Sequence, residues 1–484
     1  MIAVGAAIGV LAGMVVPAVI GVCLLRLVAR SEGWARLTFE LPVGLALGLG
    51  AAGALSFLGF VISDRPTVLL ELGLLFALLW ARRRTEAPAL LGPERSPGWW
   101  RRAAGAAALV IVGAAGVVWA SEAWTMDHGA WDAWDFWNMR ARFLYRAGDG
   151  WERAFAETLH WAHPHYPPLW PSAVARGFAL AGHESTWVPR AMGLVFTVAT
   201  VALLAATVTR ARSAAQGTLA ALTLVAALAL GVLAAAVATP VFVRHGASQY
   251  ADVPIAFFVL ATFAFMAWHD EARSGRGFML LAGLSASLAL LTKNEGAIVL
   301  VGVIASRAWI AGRRGGRARL WREATAFGAG ALPGAALWLL FELSYAHTAV
   351  NYDFFVPDPV FHDGVGPLEH LTTQLSDPAR WRGLATAWGR WLVDFDDGWP
   401  VPLALGLAVY AAVMGRTTRP PLGVAGALVI WALILSFAFV GWSRWEIVDH
   451  MDALQRLMIQ LLPTALLGFF LTVRAPFEDP DDGR

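Results

Sequence analysis

An all-α, polytopic membrane protein is the fold class this sequence predicts. Hydrophobic residues make up 58% of the 484 positions and charged residues only 15%, where a soluble domain carries roughly 45–50% and about 25%. Mean hydropathy is +0.57. The apolar residues fall in long blocks separated by short arginine-rich breaks, as expected of membrane-crossing helices, each needing about 20 mostly apolar residues. This excludes a disordered chain and a soluble enzyme. The single cysteine, Cys23, excludes intrachain disulfides and a cysteine metal site.

Thirteen segments have the length and apolarity of a span: 2–25, 39–62, 66–82, 103–121, 188–209, 217–243, 252–268, 277–292, 295–311, 324–343, 400–415, 420–442 and 455–472. The first has no charged leading region and no cleavage signature, and is read as a span. The pair 277–292 and 295–311 forms either a hairpin of two full spans or a partly re-entrant one. Run 172–182 is too short to cross and is expected to lie at the outer interface.

Orientation follows the arginine bias of short loops. Clusters at Arg26 to Arg36, Arg82 to Arg102, Arg210 and Arg212, Arg273 and Arg276, Arg313 to Arg322, and Arg416 and Arg419 all fall on one side if thirteen spans alternate. That side is expected to be the cytoplasm, with the acidic tail 473–484 in it. Two long loops, 122–187 and 344–399, face the other side. Of eleven histidines, only His269 falls in an inner loop. In an apolar protein, the face that collects titratable residues is where chemistry is expected.

The first outer loop has a helical stretch from Trp131 to Tyr145. Trp131, Trp134 and Trp137 recur every three residues, predicting an aromatic stripe toward the lipid headgroups. Asp132 and Asp135 share another face and require a nearby cation, for which Arg140, Arg142, a metal ion or a substrate are candidates. A solvated acidic face is the blander alternative. Downstream, His163-Pro164-His165-Tyr166-Pro167-Pro168 is a rigid proline turn. Its histidines face one way in an extended chain and form either a weak metal pair or hydrogen-bonded loop residues.

The short outer loop Arg244 to Asp252 includes His245 and Tyr250. Asp252 opens an apolar helix, either as an N-cap or as a second acidic group facing the first loop. Lys293 and Glu295 interrupt an apolar region, and a charge at that depth is a functional candidate by default. Lys293 is also the only lysine beside 36 arginines. It either pairs with Glu295 to satisfy a hairpin or meets an anionic head such as a phosphate. The second outer loop holds eight acids against three arginines, among them Asp353, Asp358, Asp363, Asp394, Asp396 and Asp397. With an aromatic anchor at Phe354 to Pro357, it reads as a cap. No nucleotide-binding glycine loop, HExxH, GxSxG or internal repeat is found, and nothing calls for a nucleic-acid partner.

The order of these motifs resembles the GT-C superfamily of membrane glycosyltransferases, and within it the bacterial protein-mannosyltransferase and lipid A aminoarabinose-transferase group. The resemblance rests on Trp131-Asp132-Ala133-Trp134 leading to Arg140-Ala141-Arg142, and on His163-x-x-Tyr166-Pro167-Pro168-Leu169. It continues with the Gly182 to Arg190 turn, Tyr250-Ala251-Asp252-x-Pro254 and Thr292-Lys293-Asn294-Glu295-Gly296. It covers roughly 103–345.

The resemblance implies a GT-C-like bundle with short interfacial helices in its two outer loops. Residues 1–102 would be an N-terminal addition of three spans, 103–345 the catalytic core, 346–399 a cap, and 400–484 C-terminal helices with a short tail. The donor would be a sugar on a polyprenyl phosphate and the acceptor a hydroxyl of an envelope glycan, lipid or protein. The protein would sit in a bacterial inner membrane, acting at its outer face, with inversion at the anomeric carbon. Asp132 takes the general-base position, with Asp135 the near alternative. Relatives often carry Asp-Glu there, and Ala133 departs from that pattern. Asp252, with Tyr250, matches the second acidic motif. Lys293, Arg140 and Glu295 are the candidate donor-phosphate group, and His163, His165, Tyr166 and His245 line the site. A divalent cation, Mg or Mn, on Asp132, Asp252 or His165 is the only cofactor to consider. The competing expectations are a transporter or flippase of a lipid-linked sugar, and a non-catalytic envelope scaffold.

Overall fold

The computed structural model describes residues 2–33, 35–85, 87–89, 98–226, 241–272, 276–314, 316–346, 366–393, 402–417, 422–441 and 452–476. Several expectations lie outside these residues: the acids of 347–365 and 394–401, the Phe354 anchor, His347, His362, His450, Arg273, Arg419 and the extreme tail. Among the described residues there are helices and two isolated bridges, Arg30 with Ala89 and Arg416 with Val473, but no strand.

In chain order the helices are α1 (Ile2–Arg26), α2 (Leu41–Ser63), α3 (Val68–Arg82), α4 (Gly98–Thr125), α5 (Asn138–Arg146), α6 (Leu169–Ala181), α7 (Trp187–Ala211), α8 (Ala214–Ala226) and α9 (Val241–Ala247). There follow α10 (Asp252–Ala272), α11 (Gly277–Thr292), α12 (Glu295–Arg314), α13 (Gly316–Phe341), α14 (Pro367–Ser376), α15 (Pro378–Val393), α16 (Pro402–Met414), α17 (Leu422–Val440) and α18 (Asp452–Thr472). Among the described residues, six stretches are long and apolar enough to cross a membrane: Gly9–Arg26, Arg36–Ser63, Trp187–Ala211, Asp252–Glu271, Gly316–Ala346 and Gly423–Val440. Shorter apolar helices lie at Ala214–Val225, Gly277–Thr292, Leu405–Met414 and Arg456–Thr472. The molecule is therefore an all-α, membrane-associating protein.

α10 forms the axis of the bundle, packed by α7, α11 and α18 and buried along almost its whole length. Small residues bring other helices into backbone contact, as is usual where lipid competes for apolar surfaces. A Cβ on Gly21 would fall 1.6 Å from the Gly44 carbonyl oxygen, and one on Gly48 would fall 1.8 Å from that of Pro17. The same device joins α11 to α13, where Gly283 leaves a Cβ only 2.0 Å from Phe327 O and Gly330 leaves one 2.0 Å from Leu280 O.

Charge collects at the two ends of α10. Asp252 opens the helix. At the other end Asp270 accepts both Arg307 terminal nitrogens at 2.6 Å, and Arg307 and Arg319 also hold Glu323. The 18 residue steps from Asp252 to Asp270 correspond to about 27 Å of helix, close to a bilayer's hydrocarbon thickness.

Two local readings of the sequence change, and the helix pair at 277–311 is kept. The Trp131 stripe is broken by a π-helical turn, Ala133–Trp137. Trp131 and Trp134 stay 64% and 43% exposed, while Trp137 rotates inward to 0%. α6 is not a surface helix. It packs against α1, α2 and α5 and buries Leu169 through Arg176. Its Arg176 forms a buried ion pair with Glu71 of α3, through Nε and, at 2.6 Å, through Nη2, while Nη1 donates 2.8 Å to Gly13 O. The N-terminal helices are thus locked into the bundle. Finally, 277–314 is two helices, because Lys293 is extended (φ −153°, ψ 154°) and ends α11 before Glu295 starts α12.

Candidate functional site

The loop between α4 and α6 is built so that Asp132 points at the head of α10. Its far part is pinned by aromatic packing. Trp151 and Phe155 lodge against Phe57, Phe60 and Phe341 at the ends of α2 and α13. Arg140 is buried beneath it and donates to the carbonyls of Ala154 (3.3 Å), Ala162 (2.7 Å) and His163 (2.9 Å). Arg140 therefore holds the proline turn from below and does not contribute a free cation. Arg142 serves neither aspartate. It sits 3.5 Å from Glu184 and meets His128 at 2.8 Å.

A second clasp fixes the near part of the loop. Gln249 is fully buried and held in the left-handed region, at φ +62°, a conformation uncommon for a residue with a Cβ. Asn138 Nδ2 donates to Gln249 Oε1 at 2.8 Å and to His128 O at 3.0 Å. Gln249 Nε2 donates to Met126 O at 3.2 Å, and Ala130 N to Ser248 O at 3.1 Å. Gly129, at φ +82°, fits here because a Cβ would meet Ala133 Cβ at 2.4 Å and Ser248 O at 2.7 Å. Arg190, the last residue of the Gly182 turn, adds an ion pair to Asp127.

The result is one polar cluster at one end of the bundle. Asp252 is fully buried and is held by three groups. Lys293 Nζ lies 3.0 Å from Oδ1, Gln460 Nε2 donates 2.7 Å to the same oxygen, and Arg456 Nη2 lies 3.3 Å from Oδ2. Lys293 also lies 3.1 Å from Glu295 Oε1. The same Nη2 of Arg456 forms an ion pair with Asp132. Arg456 Nε and Glu295 Oε2 have no hydrogen-bond partner among the described residues.

Aromatic rings complete the walls. The Arg456 guanidinium lies 4.6 Å from the Tyr250 ring centroid and Lys293 lies 5.6 Å from that of Tyr166. Tyr166 stacks on Trp137 at 5.3 Å, and the His163 and His165 rings lie 5.3 and 5.1 Å from it. The His245 ring is 6.2 Å from Tyr250. Burial, reinforced by Glu295, raises the Tyr166 hydroxyl above its ordinary pKa, and burial with Asp132 beside it pushes Tyr250 up to about 12. Both phenols are thus neutral hydrogen-bonding groups at physiological pH. The Asp135 carboxyl is raised from its ordinary pKa, by burial first and then by Asp132.

The structure therefore joins Asp132, Asp252, Lys293, Glu295, Tyr166 and Tyr250, with His163, His165 and His245 around them. It sets Arg140 apart, since its hydrogen bonds go to the loop backbone. Arg456 and Gln460, four apart and so on one face of α18, are members the sequence reading missed. For a divalent cation the fit is poor. Asp252 and Asp132 already face two fixed cations, and among the described residues the one group with metal-like spacing is His269, Asp270 and Glu323 at the opposite end, where Arg307 and Arg319 occupy the carboxylates.

Comparison with protein families, with curated proteins and with solved structures finds no match to this chain.

Proposed function

We propose that this chain is a membrane glycosyltransferase of the GT-C type. It transfers a sugar from a polyprenyl-phosphate donor to an acceptor hydroxyl, from a site opening at the outer face of a bacterial inner membrane. The observation that carries the reading is that one guanidinium, Arg456, touches both the candidate base Asp132 and the buried Asp252. Glycosyl transfer needs a base for the acceptor hydroxyl and fixed positive charge for the departing phosphate, and the cluster holds both.

In this reading the acceptor oxygen bonds to the anomeric carbon as that carbon's bond to the phosphate oxygen breaks. The acceptor proton passes to the Asp132 carboxylate. The electron pair leaves on the phosphate, whose charge is met by Arg456 through the unpartnered Nε. Lys293 is a less direct contact, because Asp252 and Glu295 already hold it. Its role is to keep Asp252 ionised and Arg456 in place. Attack from the face opposite the phosphate gives inversion. The thirteen-span layout and the outward orientation belong to this same proposal.

The test is mass spectrometry of envelope glycans from cells with and without the gene, complemented by the Asp132→Asn variant. A sugar missing from both the deletion and the variant supports the reading. Unchanged glycans, with slowed movement of lipid-linked sugar across the membrane, would instead favour a flippase.

A further inference from the structure

The residues flanking Asp132 form a surface that the transfer chemistry does not use. Trp131 and Trp134 remain 64% and 43% exposed, and their rings contact each other edge-on at 4.7 Å. Asp135 lies in the same turn, directly after Trp134 and beside Asp132. Among the described residues it has no ion-pair partner. Its neighbour in the helix, Phe136, is buried with Trp137. The π-helical turn creates this division, turning Trp137 inward to stack on Tyr166 while leaving the other two indoles at the lip.

We infer that Trp131, Trp134 and Asp135 form a carbohydrate-binding platform at the mouth of the site, and that the acceptor is a glycan. A pyranose ring presents an apolar C–H face that covers an indole, and hydroxyl donors around its edge that a carboxylate accepts. Two mutually braced tryptophans offer rigid contact area at little entropic cost. A lipid boundary is the ordinary destination of exposed outer-loop tryptophans. It suits the indoles but not Asp135, whose charge would lose water there with nothing in return. A sugar satisfies all three side chains. Asp132 is adjacent in the chain and turned into the cluster, so a glycan seated on the platform places its next hydroxyl toward the base.

The word acceptor rests on the transferase reading, whereas the binding itself does not. The test is saturation-transfer difference NMR on the full chain in lipid nanodiscs, with maltohexaose, mannohexaose and chitohexaose as probes. At least one oligosaccharide is expected to bind. Trp131→Ala with Trp134→Ala should weaken it at least about tenfold, the weight of a central aromatic contact. Phe at both positions should retain most of the affinity, and Asp135→Asn should weaken binding by a smaller factor.

The inference is overturned if none of the three binds at millimolar concentration, or if the double alanine variant binds as well as the unchanged protein. It is also overturned if the fluorescence lost in that variant is quenched by brominated phosphatidylcholine and indifferent to sugar. Oligosaccharide binding without sugar transfer from any polyprenyl phosphate removes the transferase reading and leaves the platform. Transfer that ignores both tryptophans removes the platform alone.

Discussion

Arg456 forms an ion pair with Asp132 and so joins the last described helix to the loop between α4 and α6. The same Arg456 Nη2 lies 3.3 Å from Asp252 Oδ2, so one side chain fixes the spacing of the two carboxylates.

Replacing Arg456 by Met should lower sugar transfer by about 100- to 1,000-fold, the usual cost of deleting a fixed donor to developing negative charge. Lys should recover only part of the loss, because a single ammonium does not reproduce the guanidinium fork. Steady-state rates at saturating donor decide this, and full activity in Arg456→Met would remove Arg456 from the phosphate.

Asp132→Asn should lower kcat by about 100- to 10,000-fold, the range of a general base, with normal membrane insertion. Asp135→Asn should keep kcat and raise KM for the acceptor. The reverse pattern would move the base to Asp135.

Lys293→Met leaves Glu295 without its counter-ion and removes the ammonium beside buried Asp252. Breaking a buried pair from one side costs about 3–5 kcal/mol, read as a fall in thermal stability in detergent. Adding Asp252→Asn to that variant should cost less than the sum of the two single changes.

Glu71→Gln and Arg176→Met should each destabilise by about 3–5 kcal/mol, since each strands the other charge inside the bundle. The two together should be milder than either sum or single predicts from contacts alone. Additive losses would mean that the pair is not coupled.

Much of the site was legible because its members sit where a polar residue has no cheap alternative. Asp252 at a helix start and Lys293 inside an apolar run both break the hydropathy pattern, and Asp132 stands in the loop where such groups collect. Arg456 and Gln460 were harder to see, since the span that holds them reads as apolar on average. Their spacing of four was the available signal. Arg140 reads from the sequence as a candidate phosphate ligand, whereas its hydrogen bonds go to backbone carbonyls, which no side-chain pattern reveals. The π-helical turn was equally invisible. A period of three in Trp131, Trp134 and Trp137 predicts one stripe, and only the extra residue in the turn separates the third ring from the first two. Glu71 and Arg176 each sit in an apolar segment, and their pairing depends on α6 being buried rather than surface-bound.

The contribution of α18 sets the order of events during synthesis. Asp132, Asp252 and Lys293 leave the ribosome well before Arg456, so a nascent chain arrested ahead of α18 carries the carboxylates without the guanidinium that bridges them. Until α18 is made, Asp252 has Lys293 alone of its two counter-ions.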